Sequence, residues 1–231
     1  PEDALGQIDQ KMASRGAVIY QREKCHTCHW EKPPYPMTEP NKFNKSFVKV
    51  SRIMVDEIGT DPLMTNNFAQ RTALTGKFKP LMQNREVVPA WELFVQVLTG
   101  VVKGKLEALN PSPAELEKYS YSRLPKFPPP DRLPAYIAEP LAGIWATPPS
   151  LPNGSVPSLY HLLLPAEKRP KRFFVGSREY DPQHIGCVSE EKLDNFEFDV
   201  SVPGNSNAGH EYGTGITEDE RMDLLEYLKT F

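Results

Sequence analysis

The sequence has no long apolar run. A membrane-spanning helix needs roughly 18 consecutive apolar residues. The best candidate, Trp91 to Val102, is interrupted by Glu92, Gln96 and Gly100. Basic charge is not in surplus: 27 Lys and Arg face 30 Asp and Glu, for a net charge of −3. That excludes the strongly basic face that nucleic acid requires. The start is not leader-like, because Pro1-Glu2-Asp3 offers neither a basic region nor an apolar stretch. Apolar residues make up 39% of the chain, below the usual share of a globular protein. Cysteine is scarce, with Cys25, Cys28 and Cys187 alone. Proline is abundant, at 24 of 231 residues. This balance predicts much ordered loop around a modest core. A bound apolar cofactor would give those loops a surface to pack on.

Two of the three cysteines fall in Cys25-His26-Thr27-Cys28-His29, the Cys-x-x-Cys-His attachment signature of c-type haem. The chemistry explains the spacing. Each thiol adds to one vinyl group of the porphyrin, and the next residue, His29, is held under the iron as its proximal ligand. A thioredoxin-like redox pair would sit beside a strand and leave His29 unexplained. A zinc site would want a second ligand pair at short spacing, and the remaining candidates, His161, His184, Cys187 and His210, are scattered. A disulfide between residues three apart would be strained. The sequence therefore predicts one covalent haem c. Attachment of this kind takes place outside the bacterial cytoplasm, so a periplasmic or extracellular chain with its signal removed is expected. Cys187 reads as a free, buried or half-buried thiol, with an intermolecular disulfide as the lesser alternative.

Ala4 to Lys24 reads as one helix running into the motif, with Leu5, Ile8, Met12, Ala17 and Tyr20 near a 3.6-residue period. Gly16 would let another helix come close. The last helix is announced by Thr217 and Glu220, a capping box, and its apolar face is Met222, Leu225, Leu228 and Phe231. The obvious partner of that face is the first helix around Gly16 and Tyr20. A third helix is expected from about Val88 to Ala108. Long connections lie between, rich in proline at 30–50 and 110–134. Residues 134–216 read as loops with short helical turns, such as Pro157 to Leu164. Loops this long serve a site more often than not.

The sixth position on the iron decides function, because a filled site favours electron transfer and an open one can bind oxygen or peroxide. His26 lies inside the motif and normally points outward. His161 sits in a short helical turn and reads as a surface residue; His184, in Asp181-Pro182-Gln183-His184, reads as an exposed turn. His210 lies in a Gly- and Asn-rich loop before the last helix. A methionine is the rival ligand: Met37, Met54, Met64 and Met82 all fall where small cytochromes often place one, with Met64 and Met82 following prolines.

Two further stretches carry a resemblance. One is Pro140-Leu141-Ala142-Gly143-Ile144-Trp145-Ala146-Thr147-Pro148-Pro149 with Asn153-Gly154-Ser155-Val156-Pro157-Ser158-Leu159-Tyr160. The other is Phe174-Val175-Gly176-Ser177-Arg178-Glu179-Tyr180-Asp181-Pro182 with Gly204-Asn205-Ser206-Asn207-Ala208-Gly209-His210-Glu211. With Cys25 to His29 they resemble the C-terminal haem domain of di-haem cytochromes related to rubber oxygenase and, more distantly, bacterial cytochrome c peroxidase. The resemblance runs from about Gly16 onward. It implies a mainly α fold: a class I cytochrome c core with long Pro-rich loop insertions, at about 30–85 and 108–216 of one domain spanning 1–231. It also implies an electron-transfer haem whose second axial histidine is His210. Pro152 stands where the family usually has a His, and Glu139 where an Arg is common. The sequence holds one Cys-x-x-Cys-His, so the oxygen or peroxide chemistry that the family places on its other haem is not carried over.

The resulting expectation is an electron carrier, either a shuttle or a subunit of a larger redox complex. A haem peroxidase or oxygenase with an open sixth site is the alternative. Trp145, Tyr136 and Tyr160 are expected on or near the haem, and Arg178 and Lys171 near its propionates. Lys168, Arg169, Lys171 and Arg172 form a basic cluster, a solvated face or a docking patch for an acidic redox partner.

Overall fold

The computed structural model describes residues 2–41, 44–115 and 134–231. The chain forms two compact units. The first comprises Pro1–Tyr35, Val50–Leu63 and Ala135–Phe231, the second Pro36–Lys49 and Met64–Pro134. In chain order the elements begin with α1 (Glu2–Leu5), α2 (Gln10–Arg22), β1 (Ser51–Met54), α3 (Val55–Ile58), α4 (Leu63–Gln70), β2 (Thr72–Leu74), β3 (Val87–Pro89) and α5 (Ala90–Leu109). They continue with β4 (Ala135–Ala138), α6 (Leu159–Leu162), β5 (Arg172–Val175), β6 (Tyr180–Asp181), β7 (Gly186–Cys187), β8 (Phe196–Asp199) and α7 (Glu218–Leu228).

The expected first helix is divided in two. Gly6 adopts φ +75°, and the Asp9 carboxylate accepts hydrogen bonds from the amides of Lys11 (2.8 Å) and Met12 (3.0 Å). An N-cap of this kind satisfies donors that a helix start leaves unpaired, so α2 starts afresh at Gln10. It buries Ala13, Gly16, Ile19 and Tyr20. The Thr217–Glu220 capping box forms as its sequence predicts. The two helices cross at Gly16, where a Cβ would lie 2.0 Å from the Asp223 carbonyl oxygen and 2.7 Å from Tyr227 Cβ. No residue but glycine permits that approach. The Arg15 guanidinium grips Asp223 with two bonds beside the crossing, at 2.6 and 2.5 Å.

Around this crossing the first unit assembles its core. Ile19, Tyr20, Leu224, Leu225 and Leu228 meet Leu159 and Leu163 from the α6 region, together with Ile185 and Ile216. Short antiparallel ribbons extend it: β1 with β4 (Ser51 opposite Ala138), β5 with β8 (Arg172 opposite Asp199), and β6 with β7 (Tyr180 opposite Cys187). Residues 134–216 thus hold strands as well as the expected turns. Phe173 stacks on Phe198 at 5.1 Å across the β5–β8 pair, the cross-strand aromatic contact that holds such ribbons.

The second unit is built on the β2–β3 pair, in which Thr72 faces Pro89. Thr75 is buried there and its hydroxyl donates to the Arg85 carbonyl at 2.7 Å. Met82 and Val88 are buried beside it. Then α5 runs 20 residues and ends at Asn110, φ +43°, a left-handed cap that asparagine tolerates. Most of the expected Pro-rich stretch around Pro125 to Pro130 lies outside the described residues.

Candidate haem site

The Cys-x-x-Cys-His segment is wound as a tight turn at the end of α2. Lys24 adopts φ +60° and starts a 3-10 turn over Cys25–Thr27. The Cys28 and His29 amides both donate to the Cys25 carbonyl, at 3.3 and 3.0 Å. The buried Tyr20 hydroxyl donates to the His29 carbonyl at 3.1 Å, so the core crossing fixes the motif directly. None of the three cysteines is in a disulfide. Burial pushes the Cys25 thiol up to about 11.

His29 is oriented from behind. Its Nδ1–H donates to the Glu139 carbonyl at 2.8 Å, just past β4. Leu141 N donates to the Trp30 carbonyl at 3.0 Å and ties the same segment to the motif. The bond leaves Nε2 of His29 bare, and metal-ligating histidines are fixed in this way.

His210 comes from a loop assembled by convergent bonds. The Asn153 side-chain amide donates to the carbonyls of Gly204 (3.0 Å) and Ser206 (2.9 Å). The Ser155 hydroxyl adds a bond to the Ser206 carbonyl at 2.9 Å, and the Ser206 amide donates to Asp61 at 3.2 Å. The His210 amide donates to the Ile58 carbonyl at 2.9 Å. Gly209 (φ +80°) passes so close to Gly59 that a Cβ on it would lie 2.3 Å from the Gly59 carbonyl carbon. His210 itself sits at φ +51°, a left-handed conformation uncommon outside glycine.

The loop delivers the His210 ring opposite His29. The two ring centroids are 6.2 Å apart, tilted by 52°. One metal bonded to both rings at about 2 Å per bond, with about 1 Å from each nitrogen to its ring centre, places the centres about 6 Å apart. Burial and the neighbouring His29 hold His210 down to about 4, so its ring is neutral, the form that binds metal. Its Nδ1 is buried with no hydrogen-bond partner. Among the described residues no group of three or more His, Cys, Asp or Glu side chains is gathered to hold a bare metal ion. A haem needs none, because its porphyrin supplies four nitrogens and the protein only the two axial ones. The residues therefore fit a haem iron between His29 and His210.

The other expected residues divide. Tyr136, on β4, donates from its hydroxyl to the Asp61 carbonyl at 3.2 Å. Trp145 is half-buried against the helix-crossing core, with its indole N–H on the Phe231 carbonyl at 2.9 Å. Tyr160 packs on that core and its hydroxyl donates to Glu218. Arg178 is exposed in the β5–β6 connection, and the structure does not bring it to His29 or His210. Met64 is 51% exposed, and Met82 is buried in the second unit. His161 and His184 are not plain surface residues. His161 bonds the Ser158 hydroxyl at 2.7 Å, His184 bonds Asp181 at 2.6 Å, and both line a cavity of about 510 Å³ with Cys187.

The basic cluster needs correcting. Arg172 pairs with Asp199 at 2.9 Å, and Lys171 is exposed. Arg169, however, is 2% exposed and lies under the His210 loop. Its place in Lys-Arg-Pro-Lys-Arg is what concealed it, since such a run looks like a solvated face.

Residues 135–174 match the family profile described as RoxA-like, cytochrome c-like. The chain thus contains a cytochrome c-like region, and its function is haem-related. The matched segment holds β4, the Glu139 carbonyl behind His29, Trp145, and Arg169. Two relatives come from Sinorhizobium fredii. The uncharacterized protein y4iJ is 36% identical over 255 aligned residues, covering all of this chain and 40% of the relative. The uncharacterized protein y4iM is 35% identical over 117, covering 41% of this chain and 27% of the relative. The chain spans less than half the length of either. No helix among the described residues is long and apolar enough to cross a membrane.

Proposed function

We propose that the chain carries one c-type haem, attached through Cys25 and Cys28 and ligated by His29 and His210, and that it transfers single electrons. The observation that carries this reading is the 6.2 Å separation of the two imidazole rings. His29 and His210 would hold the iron from both sides, and a filled sixth site favours electron transfer over binding of oxygen or peroxide. The haem supplies a one-electron iron couple. The protein's own residues do the rest. Glu139 fixes His29, the Asn153 and Ser155 bonds shape the loop that carries His210, and Tyr20 ties the attachment motif to the core. This arrangement supports a kinship with the C-terminal haem domain of the rubber-oxygenase-related cytochromes and a class I cytochrome c-like, mainly α core. Haem attachment of this kind favours a location outside the cytoplasm, and the carrier would pass electrons to and from redox partner proteins as a shuttle or as part of a larger redox complex.

The test is ferric electron paramagnetic resonance on the haem-loaded wild type and on His210→Ala. The expected result is a low-spin bis-histidine signal, replaced by a high-spin one in the variant. A high-spin signal in wild type, with ready carbon monoxide binding after reduction, would show an open iron site and put a haem enzyme in place of the carrier.

A further inference from the structure

The hydrogen bonds of the Arg169 side chain all go to the protein's own carbonyls. Its Nε–H donates to the Leu164 carbonyl at 2.9 Å. One terminal nitrogen donates to the carbonyls of Asn207 (2.5 Å) and Gly209 (2.8 Å), the other to those of Leu162 (3.2 Å) and His210 (3.4 Å). It forms no ion pair within 4 Å among the described residues, with Glu211 and Glu167 acting on it only at longer range, and its guanidinium is buried. A buried charge without a carboxylate is costly unless every donor is used, and here the fork geometry uses the donors on five carbonyls. Three of those carbonyls, of Asn207, Gly209 and His210, belong to one short loop.

Other bonds hold the loop's flanks, the Asn207 side-chain amide on the Pro170 carbonyl at 2.9 Å and the Ala166 amide on the Glu211 carboxylate at 2.7 Å, but they do not reach the carbonyls of Gly209 and His210. His210 is in the left-handed region, its own amide has one bond, to Ile58, and its buried Nδ1 has none. The residue before it is a glycine at φ +80°, free to adopt other conformations. An imidazole facing iron must be held to within about 0.5 Å to ligate well. The Asn153 and Ser155 bonds end at Ser206, four residues short of the ring. Arg169 is the group that reaches the last carbonyls.

We propose that Arg169 is the positioning residue for the sixth haem ligand: by clamping the carbonyls of Asn207, Gly209 and His210 it keeps the His210 ring opposite His29, and so keeps the iron closed to outside ligands. This rests on the bis-histidine reading above. Arg169 touches neither iron nor porphyrin and acts only through His210. Its planar fork matters as much as its charge, because a lysine offers three donors from one point and cannot span Leu164, Leu162 and the loop together.

The experiment uses the haem-loaded full chain and its variants Arg169→Lys and Arg169→Gln. Ferric spectra expected of both variants contain a high-spin fraction absent from wild type, and millimolar imidazole returns it to low spin. Reduced variants bind carbon monoxide about tenfold faster or more, a size consistent with losing charge-assisted hydrogen bonds. Adding Arg169→Lys to His210→Ala changes the carbon monoxide rate no further, because the two residues act in series. A general structural role predicts additive effects instead. Wild-type spectra and rates in both Arg169 variants would overturn the proposal. So would additivity with His210→Ala. Proton exchange of the Arg169 side chain in reduced wild type needs no variant: slow exchange is expected, and free exchange overturns the clamp. Failure of the bis-histidine reading looks different, since the wild-type spectrum would already be high-spin.

Discussion

Two helices of the molecule end up in circumstances opposite to what their composition suggests. Helix α7 has 11 residues and buries six of them, including Arg221, Asp223 and Glu226. Helix α5 has 20 residues, is far more apolar, and buries none among the described residues. Phe94, Leu98, Val101 and Leu109 stay more than 45% exposed on it. Glycine separates them further. Gly16 gives α7 its close approach, whereas Gly100 and Gly104 in α5 meet nothing within 4 Å. Apolar content therefore says which face could be covered. Shape at a single small residue decides which face is.

The contrast is sharpest at Gly16. Gly16→Ala places a methyl against the Asp223 carbonyl and pries the helices apart. A loss of about 3 kcal/mol, or about 10 °C in Tm, is expected, read by thermal unfolding. A change below about 1 kcal/mol would mean that the crossing yields easily. The same substitution in α5 has the opposite sign. Gly100→Ala meets open space in an exposed helix interior and stabilises by up to about 1 kcal/mol. Destabilisation there would mean that the exposed face is covered in solution. The smallest effect lies at the start of α7. Arg22 and the Thr217 amide hold the Glu220 carboxyl down from 4.5 to about 2. A depressed folded value gives stability that is present above pH 4.5 and lost as pH falls toward 2. Glu220→Gln should flatten that acid limb in pH-dependent unfolding. An unchanged limb would assign it to other carboxylates.

These sites also mark what could be read in advance. The capping box at Thr217, the attachment motif and the Gly16 crossing are local patterns, and local chemistry fixes them. The break at Gly6 and Asp9 was written in the sequence too, as a turn residue followed by an N-cap, but the apolar period ran through it and concealed it. The β5–β8 ribbon shows alternation in Phe196-Glu197-Phe198-Asp199, yet strands of four residues are too short to stand out. Arg169 could not be read at all. Nothing in its neighbours distinguishes a guanidinium in water from one with five carbonyls, because those carbonyls are gathered only by the finished fold. Placing His210 needed the family resemblance, since its ring meets His29 through a loop whose course depends on Gly59, Asp61 and Asn153.

His29 and His210 lie 181 positions apart along the chain. A haem whose iron is held by both, and whose porphyrin is bonded to Cys25 and Cys28, would tie the two ends of that span together as a cross-link does. Closing a loop of this length removes about 5 kcal/mol of freedom from the unfolded chain, and further lengthening would add only tenths. Insertions within the span are thus nearly free in this respect, which gives the proline-rich excursions room to grow or shrink. The axial bond would then also be a clasp on the whole polypeptide: releasing His210 would open the iron and lengthen the chain's free contour in the same event.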